Sequence, residues 1–339
     1  MKRNLLILSL IFTLAFSATA LAAPRNLTEL VQAAKKEGQA SWVSVIREKE
    51  AAPFVKAFQK KYGIKVEYQR QHGGQAMERL LREYQTGHIV YDVVQIHPDS
   101  MDEFLELDAI EIVNWPDFGI KPDFIHTGSR FVGPFETPYC FIYNTNLLKA
   151  EDVPKTWEDL LDPKWKGKIV TDTRPSGFLR LTGAWGPEKM LDYLRRFRKN
   201  NPITVRGQTQ VITLMAAGEY MLGAPYYLHS YVHNGEKKGG PLGFHLPDPL
   251  PTSFYSYGII KGAKNPNAGK LLLAWLGSEG FKMMDDINWG RSAPFGGTRK
   301  EPLYKGITLA LPPTKAMIPD RGKYVLEMTQ ALGVRKKKK

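Results

Sequence analysis

ASWVSVIREKEAAPFVKAFQKKYGIKVEYQ, residues 40–69, reads as a strand, a helix and a second strand. ASWVSVI (40–46) and IKVEYQ (64–69) carry the β-branched and aromatic residues that suit a pleated, half-buried surface, and EAAPFVKAFQKKYG (50–63) has helical length between them. The pattern continues on both sides. Upstream, NLTELVQAAKKEG (26–38) puts Asn26 at a helix cap, Glu29 three positions on, apolar residues at 27, 30, 31 and 34, and Gly38 at the stop. Downstream, GQAMERLLREYQTG (74–87) reads as a helix, YDVVQIH (91–97) as a strand and SMDEFLELDAI (100–110) as a helix. Strands alternating with helices in this way predict an α/β fold with a parallel sheet covered on both faces. Ligands on such sheets bind beyond the carboxyl ends of the strands, which marks Ser44, Arg47 and Glu48 after one strand and His97 after another.

The middle of the chain changes character. PYCFIYNTNLL (138–148) is apolar and aromatic, and VPKTWEDLLDPKWKGKIV (153–170) leads through a Trp- and Pro-rich connection into a new strand. Helices resume at EKMLDYLRRFRKN (188–200) and TQVITLMAAGEY (209–220), and after PLPTSFYSYGII (249–260) a strand and helix of the first kind return. This predicts a second α/β lobe inserted into the first. Lobe 1 is expected over residues 23–138 and 253–339 and lobe 2 over 139–252, with a hinge where the chain crosses near 136–146 and 249–258.

The ends carry separate information. Lys2 and Arg3, the apolar run LLILSLIFTLAF (5–16) and the small-x-small site Ala20-Leu21-Ala22 describe a cleaved secretory signal over residues 1–22. The run is shorter than the roughly 20 residues a membrane span needs. Cys140 is the only cysteine, so a disulfide framework is excluded, and none stands at the cleavage site to take a lipid. A periplasmic protein without a lipid anchor is expected. The formal charge of +13 falls to +11 without Lys2 and Arg3, and to +6 without Arg335 and the four lysines after it. No basic stripe interleaved with aromatics remains, so nucleic acid is not an expected partner. Nor does the chain carry GxSxG, HExxH or a Cys/His arrangement that would recommend an enzyme.

AAKKEG (33–38), AFQKKYGIKVEY (57–68), YDVV (91–94), YNTNLLKAEDVPKTWEDLLDPKWKGKI (143–169), AAGEY (216–220) and KGAKNPNAGKLLLAWLGSEG (261–280) are spread along nearly the whole chain after residue 22. With this wording the chain resembles periplasmic solute-binding proteins of ABC importers, in the branch that includes ferric-ion-binding proteins. The resemblance implies a two-lobed type 2 periplasmic-binding-protein fold, each lobe a mixed or mostly parallel sheet flanked by helices, with the ligand cleft at the hinge. It also implies a monomer that hands a small molecule or ion to a membrane permease. It leaves the solute open, because the branch also binds phosphonates, sugar phosphates and other small molecules.

Tyr226 and Tyr227 fall where ferric binders of this branch carry adjacent tyrosines. Phenolate oxygen is a hard donor suited to Fe(III), and a bound cation can deprotonate a phenol locally. In a strand, however, neighbouring side chains point to opposite faces. His97 lies about where family members offer a carboxylate from the first lobe, and the loop after the first strand offers Arg47 and Glu48 but no histidine. Ser176 and Gly177, in RPSGFLRL (174–181), match the helix start at which the family holds a synergistic phosphate or carbonate, a place where exposed N–H groups and the helix dipole suit an anion. Arg174 adds a bidentate donor, and Gln208 or Thr209 a polar contact. Two solutes are therefore expected to compete: an anionic organic molecule bearing phosphate or carboxylate, favoured by Arg47, and Fe(III) with a synergistic anion, liganded by Tyr226, Tyr227 and His97. No cofactor is expected beyond that transported ligand. Phe254, Tyr255 and Tyr257 are expected at the hinge, His229 exposed on the helix after the tyrosines, and Cys140 buried.

Overall fold

A computed structural model describes residues 23–71 and 74–334; the expected signal segment and the lysine tail lie outside the described residues. The first helix, α1 (Leu27–Glu37), starts as its sequence predicts. Asn26 accepts a hydrogen bond from the Glu29 amide at 3.0 Å, and Gly38 ends the helix at φ 74°, a left-handed conformation that glycine adopts without a Cβ penalty. Leu30 and Ala34 are buried on its inner face, while Leu27, expected with them, is exposed.

Strands β1 (Gln39–Ser44), β2 (Lys65–Arg70) and β3 (Val93–Ile96) alternate with α2 (Glu48–Tyr62) and α3 (Gly74–Gln85), and β1 pairs in parallel with both neighbours. After α4 (Met101–Glu106) come the short strands β4 (Ile125–His126) and β5 (Phe131–Val132). The chain leaves this sheet through β6 (Tyr139–Asn144) and builds a second one with β7 (Ile169–Asp172), α5 (Ser176–Trp185), α6 (Pro187–Arg198), β8 (Ile203–Val205), α7 (Gln208–Ala216), β9 (Leu222–Tyr227), α8 (Leu228–Tyr231) and β10 (Leu242–His245). It returns past β11 (Leu250–Pro251) to β12 (Ser256–Ile259), then α9 (Pro266–Ser278) and α10 (Met283–Asn288), and ends with β13 (Leu309–Ala310) and α11 (Arg321–Ala331).

The sheet orders are β2-β1-β3-β12-β5-β4 and β10-β6-β9-β7-β8. Both are mixed, because the strands at the crossings run against their neighbours: β12 is antiparallel to β3, and β6 to β9. Each sheet is covered by helices on both faces, with apolar clusters around Trp42, Phe54 and Leu272 in the first lobe and around Phe178, Leu194 and Met190 in the second.

The crossings are stitched together. The Thr137 amide donates to the Ser253 carbonyl and the Tyr255 amide to the Phe135 carbonyl, each at 2.8 Å. Between them Glu136, fully buried, accepts from Lys300 and from the Thr252 hydroxyl, both at 2.6 Å.

The end of the chain departs from the expected boundaries. Residues 253–339 were all expected in lobe 1, yet β13 pairs with β11, and α11 buries Tyr324 and Met328 in the second sheet's core with Leu194 and Phe178. The Tyr324 hydroxyl also donates to the Pro187 carbonyl at 3.0 Å. An amphipathic helix must cover some apolar surface, and the one within reach belongs to the second lobe.

Candidate ligand-binding cleft

Between the lobes lies a cavity of about 320 Å³ whose walls come from both sheets and both crossings. The first lobe contributes Arg70, Gln95, His97 and Arg291, the crossings Thr137, Ser253, Phe254 and Tyr255, and the second lobe Arg174, Ser176, Arg180, Tyr227 and His229. Among the described residues four arginines line it and no carboxylate side chain does.

Strand register decides which tyrosine faces the cleft. β6 and β9 pair Tyr139 with Tyr227 and Cys140 with Tyr226, so each pair shares a face. The Tyr139 hydroxyl donates to that of Tyr227 at 2.8 Å, their rings lie 4.4 Å apart, and His229 stacks on Tyr227 at 4.8 Å. Tyr226 points the other way, into the core with Cys140, Ile212 and Met215, fully buried. Among the described residues its hydroxyl has no hydrogen-bond partner, and burial, helped by the negative charge of Asp172, pushes its pKa far up. Tyr226 is therefore not a cleft residue, and the expected pair of phenolate ligands is not assembled. Burial likewise holds the Tyr139 phenol protonated.

α5 begins at Ser176, as expected, and Ser176 lines the cleft. Gly177 does not: a Cβ there would meet the Pro225 ring at 2.5 Å and the Tyr139 ring at 2.9 Å, so its missing side chain serves packing and not the approach of a ligand. Gln208, at the start of α7, is also withdrawn; its side-chain oxygen accepts from the Tyr227 amide at 3.2 Å and so positions Tyr227. Arg174 reaches the cleft but is held by Asp172 through Nε at 3.0 Å and Nη2 at 2.8 Å, which raises its pKa. His97 lines the cleft from the end of β3. Arg47 does not line it, yet its charge is near enough to the second lobe to help lower the pKa of both His229 and His233, beneath the larger effect of burial. His229, expected exposed, is buried, and desolvation keeps it neutral. Phe254 and Tyr255 line the cleft, while Tyr257 is buried and bonded to Ser44 at 2.7 Å.

Three of the cleft's cations, Arg70, Arg180 and Arg291, escaped the sequence reading, and the last two are buried. Arg180 stands four residues after Ser176, so the helix brings it to the same face. It is buried, lies 5.0 Å from the centre of the Tyr139 ring, and donates to the Ser176 carbonyl at 2.6 Å and the Ser253 hydroxyl at 3.1 Å. Its Nε has no partner, and among the described residues it makes no ion pair. The spacing in RPSGFLRL could have flagged it. Arg291, also buried, donates to the Tyr255 hydroxyl and sits 3.5 Å from a Glu50 oxygen. Nothing in WGRSAP announces it. Among the described residues no group of three or more His, Cys, Asp or Glu side chains converges as a metal site.

The model of the bacterial extracellular solute-binding proteins matches residues 42–283. The chain belongs to that family. Its members bind small solutes outside the cytoplasm and deliver them to ABC permeases, and no helix among the described residues here is long and apolar enough to cross a membrane. The chain is 22% identical to an Fe(3+)-binding periplasmic protein of Serratia marcescens over 251 residues, 69% of this chain and 72% of that one. It is 25% identical to a putative 2-aminoethylphosphonate-binding periplasmic protein of Salmonella typhimurium over 285 residues, 75% and 77% of the two chains. Among solved structures, the periplasmic binding protein AfuA of Actinobacillus pleuropneumoniae, with fructose-6-phosphate bound, superposes with a TM-score of 0.69 at 22% identity, covering 88% of this chain and 99% of its own. The shared architecture is the two-lobed type 2 arrangement with the cleft between mixed sheets.

Proposed function

We propose that this solute-binding protein captures an anionic organic solute, bearing phosphate or carboxylate, between its lobes and presents it to the permease of an ABC importer. The observation that carries the reading is the buried Arg180 guanidinium, open to the cleft among three further arginines, with neither a counter-ion nor a lining carboxylate among the described residues. Removing a cation from water is costly unless it is paired, so the cleft is built to receive the missing negative charge. Ser176 at the start of α5 supplies a helix N-terminus on the same wall. The relatives' phosphonate and sugar-phosphate names agree with this choice. The protein acts as a binder and not as an enzyme, as a monomer, after export by a cleaved signal. Its lobes divide at the stitched crossings, with the segment from β13 onward joined to the second lobe. Thermal unfolding with phosphate esters and carboxylates tests the reading: an anion at a hundredfold excess over Kd stabilises the folded state by about 2.7 kcal/mol. Unchanged melting with every anion tried sinks it.

The name of the Serratia relative supports a second solute, Fe(III) with a synergistic anion. Here Tyr227 and His97 line the cleft as candidate oxygen and nitrogen donors, while Tyr226 lies outside it. Loaded with ferric citrate, such a protein shows a phenolate-to-iron absorption band that Tyr227→Phe removes and Tyr226→Phe leaves; a colourless protein excludes iron.

A further inference from the structure

A second cavity, of about 390 Å³, adjoins the arginine cleft and shares Pro98, Ser253 and Phe254 with it. Its character is opposite. Met101 and Leu105 from α4, the Phe254 ring and Leu311, Pro312 and Pro313 beyond β13 supply an apolar lining. Among the described residues no lysine or arginine lines it, and its histidine, His126, stays neutral because burial pushes its imidazole down to about 4. An ion pair between Glu106 and Lys315 ties α4 to the segment that carries Leu311. One oxyanion leaves much of this space unfilled. A water takes about 30 Å³ in the liquid, so an inorganic anion of a few waters' size fills only part of the first cavity and none of the second.

We infer that the solute is an amphipathic anion: its charged group sits among the arginines and an uncharged, ring-sized apolar part passes Phe254 into the second cavity. This rests on the anionic reading above and adds the class of the other end. The apolar side chains exclude water from a carbon skeleton, the hydroxyls of Thr127, Ser253, Ser256 and Thr314 carry no charge to pair with a second one, and Asp102 in the same lining repels a second anion. Selectivity then follows from the pairing of the two cavities, since a small inorganic anion uses one of them and an amphipathic anion both.

The test compares matched probes by calorimetry on the full mature protein: inorganic phosphate, methyl phosphate and phenyl phosphate, with acetate and phenylacetate as the carboxylate pair. The aromatic member of at least one pair is expected to bind tenfold or more tightly than its methyl counterpart. Leu311→Asp places a charge in the second cavity at a half-exposed position, so folding is retained. It should erase the aromatic gain while leaving inorganic phosphate or acetate unchanged. Equal affinity for methyl and aromatic probes in the parent overturns the inference and leaves the anion cleft standing. An aromatic gain that survives Leu311→Asp overturns it as well, since the ring then lies elsewhere. If no phosphate or carboxylate binds, the anionic reading fails and takes this inference with it.

Discussion

Among the described residues two places bury cations, and they treat them differently. At the crossings Lys300 is fully buried against Glu136, which also accepts from Thr252, so the charge is matched inside the protein. In the cleft Arg180 is buried beside a tyrosine ring, a hydroxyl and a carbonyl, none of which carries a negative charge. The same desolvation cost acts in both places. The paired site closes its own account of charge and holds the crossings; the unpaired one leaves a positive charge for the proposed anionic solute to neutralise. A buried charge thus reports function when its partner is missing, and structure when it is present.

The largest expected effect breaks the paired site. Lys300→Met leaves Glu136 buried without its counter-ion and should cost about 3–5 kcal/mol in chemical denaturation. Were the variant as stable as the parent, the crossings would not depend on that pair. Replacing both residues, Lys300→Met with Glu136→Leu, should recover much of the loss.

Histidines show a third way to bury a base, which is to leave it neutral. The pKa of His126 falls from 6.5 to about 4 on folding because burial disfavours its charged form. A depressed pKa contributes stability that is present above the unfolded value and lost as pH falls toward the folded one. Between pH 6.5 and 4 the folded protein should therefore lose up to about 3 kcal/mol through this group, at about 1.4 kcal/mol per pH unit. Denaturant melts across that range check it: His126→Gln should flatten the slope by that share, and an unchanged slope removes His126 as its source.

Arg180 breaks the comparison from the other side. Arg180→Gln should weaken anion binding by roughly 1.5–3 kcal/mol, the worth of a hydrogen bond to a charged group, while leaving unfolding free energy without ligand unchanged or raised. Calorimetry with the best anion, alongside denaturation without it, separates the two quantities. A variant that loses stability but keeps its affinity would make Arg180 structural, like Lys300.

How far the sequence reveals these places depends on the range of the interactions that make them. The cap at Asn26, the strand–helix–strand run at 40–69 and the start of α5 at Ser176 are set within a few residues, and were legible. The antiparallel strands at the crossings were not, because direction depends on where the chain returns. Neither was the docking of α11: its apolar face says that it packs, not on which lobe. In the cleft, Arg180 follows from helical spacing, whereas Arg291 meets the site only through the folding of distant segments.

The smallest effect concerns the tyrosines. Register between β6 and β9, with an irregularity between Cys140 and Ile142, sends Tyr227 to the cleft and Tyr226 to the core. The Tyr226 hydroxyl there has no partner among the described residues, and a buried polar group without one costs free energy comparable to a lost hydrogen bond. Tyr226→Phe keeps the ring that packs against Ile212 and Met215 and deletes only that oxygen, so stability should stay level or rise by about 1 kcal/mol, with anion affinity unchanged. Tyr227→Phe should do the reverse. It removes the acceptor for the fully buried Tyr139 hydroxyl and one polar group from the cleft, so both stability and affinity should fall by about 1 kcal/mol. If Tyr226→Phe lost affinity as Tyr227→Phe does, both phenols would face the ligand, and the β6–β9 register would have to differ in the bound state.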